Sequence, residues 1–317
     1  MLDVIVTRKT TEALGIASFE LSAANGAPLP AFTAGSHIDV QIAPGLVRQY
    51  SLCNHPEERH RYVIGVLNEP TSRGGSRTLH EQIDAGQTLR ISEPRNLFEL
   101  APDAGHYLLF AGGIGITPIL AMAYSLSQAG KSFELHYCSR EPERAAFVDL
   151  MRNAPFANRV ISHFDSGADE QKLQAGEVLK APVAGHHLYV CGPSGFMDFI
   201  LNTAAACAWP AAQVHREYFA APQVEHGPDQ CFDVELASSG RVFQIPIGRS
   251  VFDVLDEAGV EIQSSCEQGI CGTCVTRVLA GVPDHRDQFL SEAEWALNDQ
   301  FTPCCSRAKS PRLVLDL

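Results

Sequence analysis

The sequence predicts a multidomain chain in which an antiparallel β-barrel is followed by a parallel α/β sheet and then by a small α+β domain. Three observations carry this reading: short alternating strands as far as about Leu100, a change of period after about Gly105, and a C-terminal stretch with its own hairpin, capped helix and cysteine set. In the first segment Leu2–Val6, His37–Ile42, Tyr62–Val66 and Thr88–Ile91 alternate apolar and polar residues between Gly, Pro or Asn turns. Strands at such short intervals suit an antiparallel barrel. In the second, Tyr107–Ala111, Phe133–Cys138 and His187–Cys191 are apolar strands separated by helical stretches such as Ile119–Gln128. That alternation builds a parallel sheet. Ala220–Asp229, with two prolines and a glycine, reads as a linker. Beyond it, Phe232–Leu236 and Arg241–Ile245 flank a Ser-Ser-Gly turn, and Ser250 caps a helix to Ala258. The expected boundaries are 1–102, 103–221, a linker at 222–230, and 231–317.

Composition narrows the function. The chain has 317 residues, 45% apolar and 19% charged, which describes a folded protein of two or three domains without low-complexity tracts. A net charge of −13 disfavours nucleic acid, because no basic stripe offsets phosphate repulsion, and favours a basic docking partner. Met1–Ile16 carries Asp3 and Glu12 and lacks an apolar signal core, so a reducing cytoplasm is expected. Cys53, Cys138, Cys191, Cys207 and Cys231 are scattered as free thiols rather than spaced as a disulfide framework. Tyr107–Leu126 is almost uncharged, but Gly112, Gly113, Gly115 and Pro118 interrupt it, so a strand, a tight loop and a helix are expected in place of a membrane span.

The chemistry is densest near the C-terminus. Cys266, Cys271 and Cys274 form C-x4-C-x2-C with a remote fourth thiol, the ligand spacing of a plant-type 2Fe–2S cluster. Gly269 and Gly272 let the loop turn tightly and bring its N–H groups near the inorganic sulfides. Zinc ribbons show two short paired knuckles, whereas here one triplet precedes one distant thiol. Cys304 and Cys305 compete for the fourth place, and spacing alone does not separate them.

Two further constellations lie upstream. Arg48-Gln49-Tyr50-Ser51 ends a strand with a group to fork onto a phosphate, an aromatic to lie on a flavin ring, and a hydroxyl for the flavin N5 edge. Arg73-Gly74-Gly75-Ser76 adds a nest of N–H groups at a helix start, suited to a phosphate. Gly112-Gly113-Ile114-Gly115-Ile116-Thr117-Pro118 follows a strand and opens a helix, as a dinucleotide site requires, although it is not G-x-G-x-x-G. Cys191-Gly192-Pro193 ends another strand at the same expected sheet edge.

In this order, these motifs resemble those of the phthalate dioxygenase reductase family, which includes the reductase subunits of vanillate and related O-demethylases. Pro94-Arg95-Asn96 and the tail Cys304-Cys305-Ser306-Arg307-Ala308-Lys309-Ser310 extend the resemblance across essentially the whole chain. It implies a barrel carrying FMN, a central NADH domain and a ferredoxin-like (β-grasp) domain with Cys266, Cys271, Cys274 and Cys304 as ligands. It implies that Arg48, Gln49, Tyr50, Ser51 and Arg73–Ser76 hold FMN, that Phe219 covers it, and that Gly112, Gly113, Gly115, Thr117, Gly192 and Pro193 hold NADH. Ser51, Thr117 and Cys191 are the candidate catalytic residues.

NADH delivers a hydride and a 2Fe–2S cluster accepts one electron, so a flavin is needed between them. No Ser-His-Asp set or mononuclear iron triad is discernible among the twelve histidines, which assigns oxygen chemistry to a partner. The expected function is a monomeric NADH-dependent reductase that docks transiently on a terminal Rieske-type oxygenase acting on an aromatic substrate. A diiron monooxygenase as acceptor, or a cluster-gated redox sensor, are the alternatives.

Overall fold

The computed structural model of the chain describes residues 1–70, 74–220 and 227–317. It divides into two compact units, Met1–Phe219 and Ala220–Leu317. In the first, β1 (Leu2–Ala13), β2 (Ile16–Ala23), β3 (Ser36–Ala43), β4 (Leu46–Ser51), β5 (Tyr62–Leu67), β6 (Thr88–Ile91) and the short β7 (Arg95–Asn96) form one sheet, with helix α1 (Gly75–Gln82) beside it. The order is β4-β3-β6-β1-β2-β5 with β7 on β3, all antiparallel. A bridge between Leu52 and Ile64 joins the ends of β4 and β5 and closes the barrel. Its interior holds Val4, Val6, Phe19, Leu21, Ile38, Val40, Ile64 and Val66. These are the alternate residues of each strand, as a period of two requires.

The same unit contains a parallel sheet of β8 (His106–Gly112), β9 (Phe133–Ser139), β10 (Val160–Phe164), β11 (His186–Cys191) and β12 (Val214–Glu217), ordered β10-β9-β8-β11-β12. Helices α2 (Ile116–Gln128), α3 (Val148–Arg152), α4 (Ala175–Leu179) and α5 (Ser194–Ala206) belong to this segment. β8 is buried on both faces from Tyr107 to Gly112, which explains its continuous apolar run. α2 follows at once, with Ile116 to Ala123 all buried, so the uncharged stretch is a strand, a turn and a core helix. No helix among the described residues is long and apolar enough to cross a membrane. The strand order reverses between β8 and β11, and ligands of open α/β sheets bind at such a point.

The second unit has a sheet ordered β14-β13-β19-β15-β17, built from β13 (Phe232–Leu236), β14 (Val242–Ile245), β15 (Thr276–Ala280), β17 (Gln300–Phe301) and β19 (Arg312–Leu315). Beside it β16 (Pro283–Asp284) pairs β18 (Arg307–Ala308). Helix α6 (Val251–Glu257) packs Val251 and Leu255 into the core, and Ser250 and Asp253 form a reciprocal capping box at its start. A second capping box, Ser291 with Glu294, starts α7 (Glu292–Leu297). The hairpin of β13 and β14 is as expected, but β19 enters between β13 and β15 and runs parallel to β13. That mixed sheet over one helix is the ferredoxin-like arrangement. Most of the expected linker, residues 221–226, lies outside the described residues.

Candidate functional site

Three groups of candidate residues are brought to strand ends. At the end of β4, the Arg48 side chain lies across the start of α1, so closely that a Cβ on Gly75 would fall 2.8 Å from its Cγ. Gly74, at φ 96°, takes a left-handed turn into α1 that a side chain resists. Ser76 Oγ accepts from the Glu69 N–H at 3.2 Å. Arg73 lies outside the described residues. A cation over an amide-rich helix start fits a phosphate. Tyr50 is half-buried against the barrel core, where burial raises its pKa and keeps its hydroxyl neutral. Gln49 is committed within the barrel: its amide donates to Asp39 Oδ1 at 3.0 Å, while Asp39 Oδ2 pairs with Arg95 at 2.7 Å.

Ser51 makes a contact that no sequence pattern announces. Its hydroxyl donates to Glu217 Oε2 at 3.2 Å, across 166 positions, at the end of β12. Burial pushes the Glu217 carboxyl up to about 8, partly offset by the Ser51 hydrogen bond. Cys191, ending the adjacent β11, is fully buried, and burial together with Glu217 raises its pKa well above the ordinary value. A thiol so held is a packing group rather than a nucleophile. His37 faces Ser51 in the β3–β4 register, is 5% exposed, and its Nε2 has no hydrogen-bond partner among the described residues. An orphaned buried nitrogen opposite a hydroxyl-bearing residue fits the polar edge of a flavin. Phe219 stands two residues beyond Glu217, 38% exposed, as a ring-covering aromatic must be.

The Glu217 pKa makes stability pH-dependent. The folded carboxyl titrates near 8 against an ordinary 4.5, so the folded chain binds one more proton between those values and loses stability as pH rises through them. Glu217→Gln is expected to remove this slope. Thermal melts at pH 5.5 and pH 8 check it: the variant gains on the parent at the higher pH, and parallel losses refute the assignment.

At the switch point, the register sets Cys191 beside Ala111, so the loops after β8 and β11 are adjacent. Their glycines serve different ends. A Cβ on Gly115 would overlap the Cys191 carbonyl and the Gly192 N–H, and one on Gly112 or Gly192 would overlap the Phe196 ring. These three glycines bring the protein's own segments together. Gly113, at φ 52° and with nothing within 4 Å of an added Cβ, is the one that faces open space before α2. That open turn fits a dinucleotide phosphate. Thr117 donates its hydroxyl to the Ile114 carbonyl at 3.0 Å and lays its methyl against Gly65 of the barrel. Pro193 is exposed at the cap of α5.

In the second unit, Cys266, Cys271, Cys274 and Cys304 are all buried, at 7%, 8%, 4% and 9% exposure. They form two pairs. Cys274 Sγ lies 3.4 Å from Cys304 Sγ, and Cys266 is hydrogen-bonded to Cys271, which pulls the Cys271 thiol below its ordinary pKa. Among the described residues no three His, Cys, Asp or Glu side chains converge as a mononuclear site would need. Two thiol pairs, one for each iron, fit a binuclear cluster. Cys305 is hydrogen-bonded to the Cys304 thiol, which lowers its pKa, and its sulfur also lies 3.2 Å from Thr302 Oγ1 and packs on Gly269.

Comparison with known proteins agrees with these features. Residues 234–309 match a family model described as a 2Fe-2S iron-sulfur cluster binding domain. The chain is 59% identical over 318 residues to a vanillate O-demethylase oxidoreductase of Pseudomonas putida, covering 100% of both. Among solved structures it is similar to a phthalate dioxygenase reductase described as a modular structure for electron transfer from pyridine nucleotides to a 2Fe–2S centre. The TM-score is 0.77 at 40% identity, covering 100% of this chain and 98% of that one. It is also similar to part of an intact type IV self-sufficient cytochrome P450 monooxygenase, with TM-score 0.86 at 37% identity, over 100% of this chain and 41% of that chain.

Proposed function

The chain belongs to the phthalate dioxygenase reductase family, and from that premise we propose that it passes electrons from NADH through FMN and a 2Fe–2S cluster, singly, to a Rieske-type oxygenase that O-demethylates an aromatic substrate. The observation that carries the substrate class is full-length similarity to a vanillate O-demethylase oxidoreductase. In this reading 1–102 carries FMN, 103–221 carries NADH, 222–230 is a linker and 231–317 carries the cluster, in a cytoplasmic monomer that docks transiently.

The flavin, when bound, accepts a hydride and hands electrons on one at a time. The chain's own residues do the placing. Arg48 and the Gly74–Ser76 turn bind the phosphate. Tyr50 and Phe219 bracket the ring, while Ser51 Oγ and His37 Nε2 meet its polar edge. Glu217, neutral below about pH 8, accepts the Ser51 hydroxyl through Oε2. Gly113 and the start of α2 take the NADH phosphates, with Gly112, Gly115, Thr117, Gly192 and Pro193 shaping the loops around them. Cys266, Cys271, Cys274 and Cys304 hold the cluster.

NADH is preferred over NADPH by the turn after β9. Glu141 there pairs with Arg144 at 2.7 Å, which neutralises the arginine that would otherwise meet a 2′-phosphate. Glu141→Gln, combined with Glu143→Gln, is expected to raise the NADPH/NADH ratio of kcat/KM about tenfold, the effect of one charged contact. Steady-state ferricyanide reduction with both nucleotides measures it, and an unchanged ratio removes these residues from the ribose site.

The function is tested by mixing the holoprotein with the oxygenase of a vanillate-type O-demethylase and following NADH-dependent formaldehyde release. Mass of the extracted flavin separates FMN from FAD. A holoprotein that reduces ferricyanide but supports no turnover of that oxygenase refutes the proposed partner.

A further inference from the structure

β1 carries a lysine where the barrel pattern calls for an apolar residue. Val4 and Val6 are buried in the barrel core, and the pairing with β2 shifts by one residue between Val6 and Arg8. The inward side therefore falls next on Lys9, opposite the buried Phe19, and leaves Arg8 exposed. The Lys9 side chain is 22% exposed, and its Nζ stands 5.6 Å from the centre of the Phe19 ring. A cation placed there is costly unless it is satisfied. Its Nζ donates to the His80 carbonyl at 2.7 Å, to the Ile83 carbonyl at 2.8 Å and to Asp84 Oδ1 at 3.1 Å. All three acceptors lie in the last turn of α1 or in the two residues that follow it.

The end of α1 needs such a group. Ile83 leaves the helix extended, at φ −106° and ψ 121°, so the chain does not fold back over the last carbonyls. Lys9 satisfies two of them and stands at the negative end of the helix dipole. The same end is held by Leu79, fully buried in the barrel core, and by His80, whose Nε2 lies 2.9 Å from the Val66 carbonyl. The opposite end of these eight residues, about 12 Å away, is the start that lies under Arg48. A helix this short moves as one body, so what fastens its end also sets its start.

We propose that Lys9 is a positioning residue for the flavin phosphate, holding the start of α1 against Arg48 by fastening the other end of the helix. The proposal rests on the assignment of that phosphate to Arg48 and the Gly74–Ser76 turn, and adds to it a residue at the far end of α1. A lysine that served only the barrel would affect the whole flavin site alike. One that positions α1 affects the phosphate and spares the ring, because Tyr50 and Ser51 belong to β4 and not to α1.

The full-length chain, freed of flavin and titrated with FMN or with riboflavin, tests this through the quenching of flavin fluorescence. Riboflavin has the same ring and no phosphate. In Lys9→Met, which keeps the stem and removes the charge, the ratio of the riboflavin Kd to the FMN Kd is expected to fall about tenfold, within the range of a partly buried charge at a helix end. Riboflavin itself is expected to bind variant and parent alike. Where Lys9→Met does not fold, Lys9→Gln, which keeps a donor without the charge, is expected to shift the ratio in the same direction. An unchanged ratio, with both ligands weakened together or neither, overturns the inference while the phosphate assignment stands. A parent that binds riboflavin as tightly as FMN overturns that assignment, and the role of Lys9 with it.

Discussion

Replacing Cys304 with alanine is expected to abolish cytochrome c reduction, by more than about a hundredfold, while NADH-dependent ferricyanide reduction continues. The argument begins with the thiol pairs. Cys274 and Cys304 face one another at 3.4 Å and Cys266 bonds Cys271, so removing Cys304 leaves one pair half empty. Changes merely around a metal cost ten- to hundredfold, and losing a ligand atom costs more. Cys305 does not compensate. Its sulfur, beside Cys304, is also held by Thr302 and packed on Gly269, whereas the Cys304 thiol is the one set 3.4 Å from Cys274. Cys305→Ser is therefore expected to keep the cluster and both activities within about twofold, as a near-isosteric change at a hydroxyl-lined site. Iron content, visible absorbance and the two acceptor assays decide it. If Cys304→Ala keeps its cluster and Cys305→Ser loses it, the fourth ligand is Cys305.

The second large effect is expected from Gly115→Ala. Gly115 has an ordinary helical backbone, φ −62°, so alanine meets no conformational penalty there. What it meets is the backbone of the neighbouring loop, the Cys191 carbonyl and the Gly192 N–H, which have no rotamer to move aside. The loops after β8 and β11 must part, at about 1–3 kcal/mol for overpacking a tight core. Because they meet at the switch point, NADH use suffers with stability: KM in the ferricyanide assay is expected to rise about tenfold or more, as misplacement of bound groups entails. Gly113→Ala is the contrast. It overlaps no protein atom, but φ 52° costs a side chain about 1–2 kcal/mol and its Cβ enters the space assigned to the NADH phosphates, so a small loss of stability with a raised KM is expected, without the parting of two loops. Thermal melts and NADH titrations separate the two. Equal KM values for both variants and the parent would detach this edge from the nucleotide.

Much of the architecture is legible in order along the chain because its signals are local. The strand pattern of Leu2–Val6, His37–Ile42 and Tyr62–Val66 is a matter of alternate residues, and each lies in a barrel strand. The glycines and proline in Tyr107–Leu126 announce a turn, and β8 and α2 meet there. Ser250 followed by Asp253 is a helix start readable from four residues. The C-x4-C-x2-C spacing states what one loop must wrap, and the match of residues 234–309 to a 2Fe-2S iron-sulfur cluster binding domain agrees with it.

Other features have no local signature. Ser51 and Glu217 are 166 residues apart, and only the meeting of β4 with the end of β12 makes them a part-buried pair. Glu217 lies in a short strand, Val214–Glu217, with no period long enough to read. The glycines after β8 and β11 signal a close approach without saying to what, and Gly112, Gly115 and Gly192 approach the protein itself while Gly113 does not. Cys304 and Cys305 are adjacent and chemically identical, so what separates their surroundings is the fold: one thiol is set 3.4 Å from Cys274 and the other among hydroxyls. By itself, then, the sequence determined the succession of barrel, parallel sheet and cysteine loop, because periodicity and spacing are properties of covalent neighbours. The tertiary structure alone decided which distant groups share a site, because burial, hydrogen bonding and pKa depend on neighbours that only the closed chain supplies.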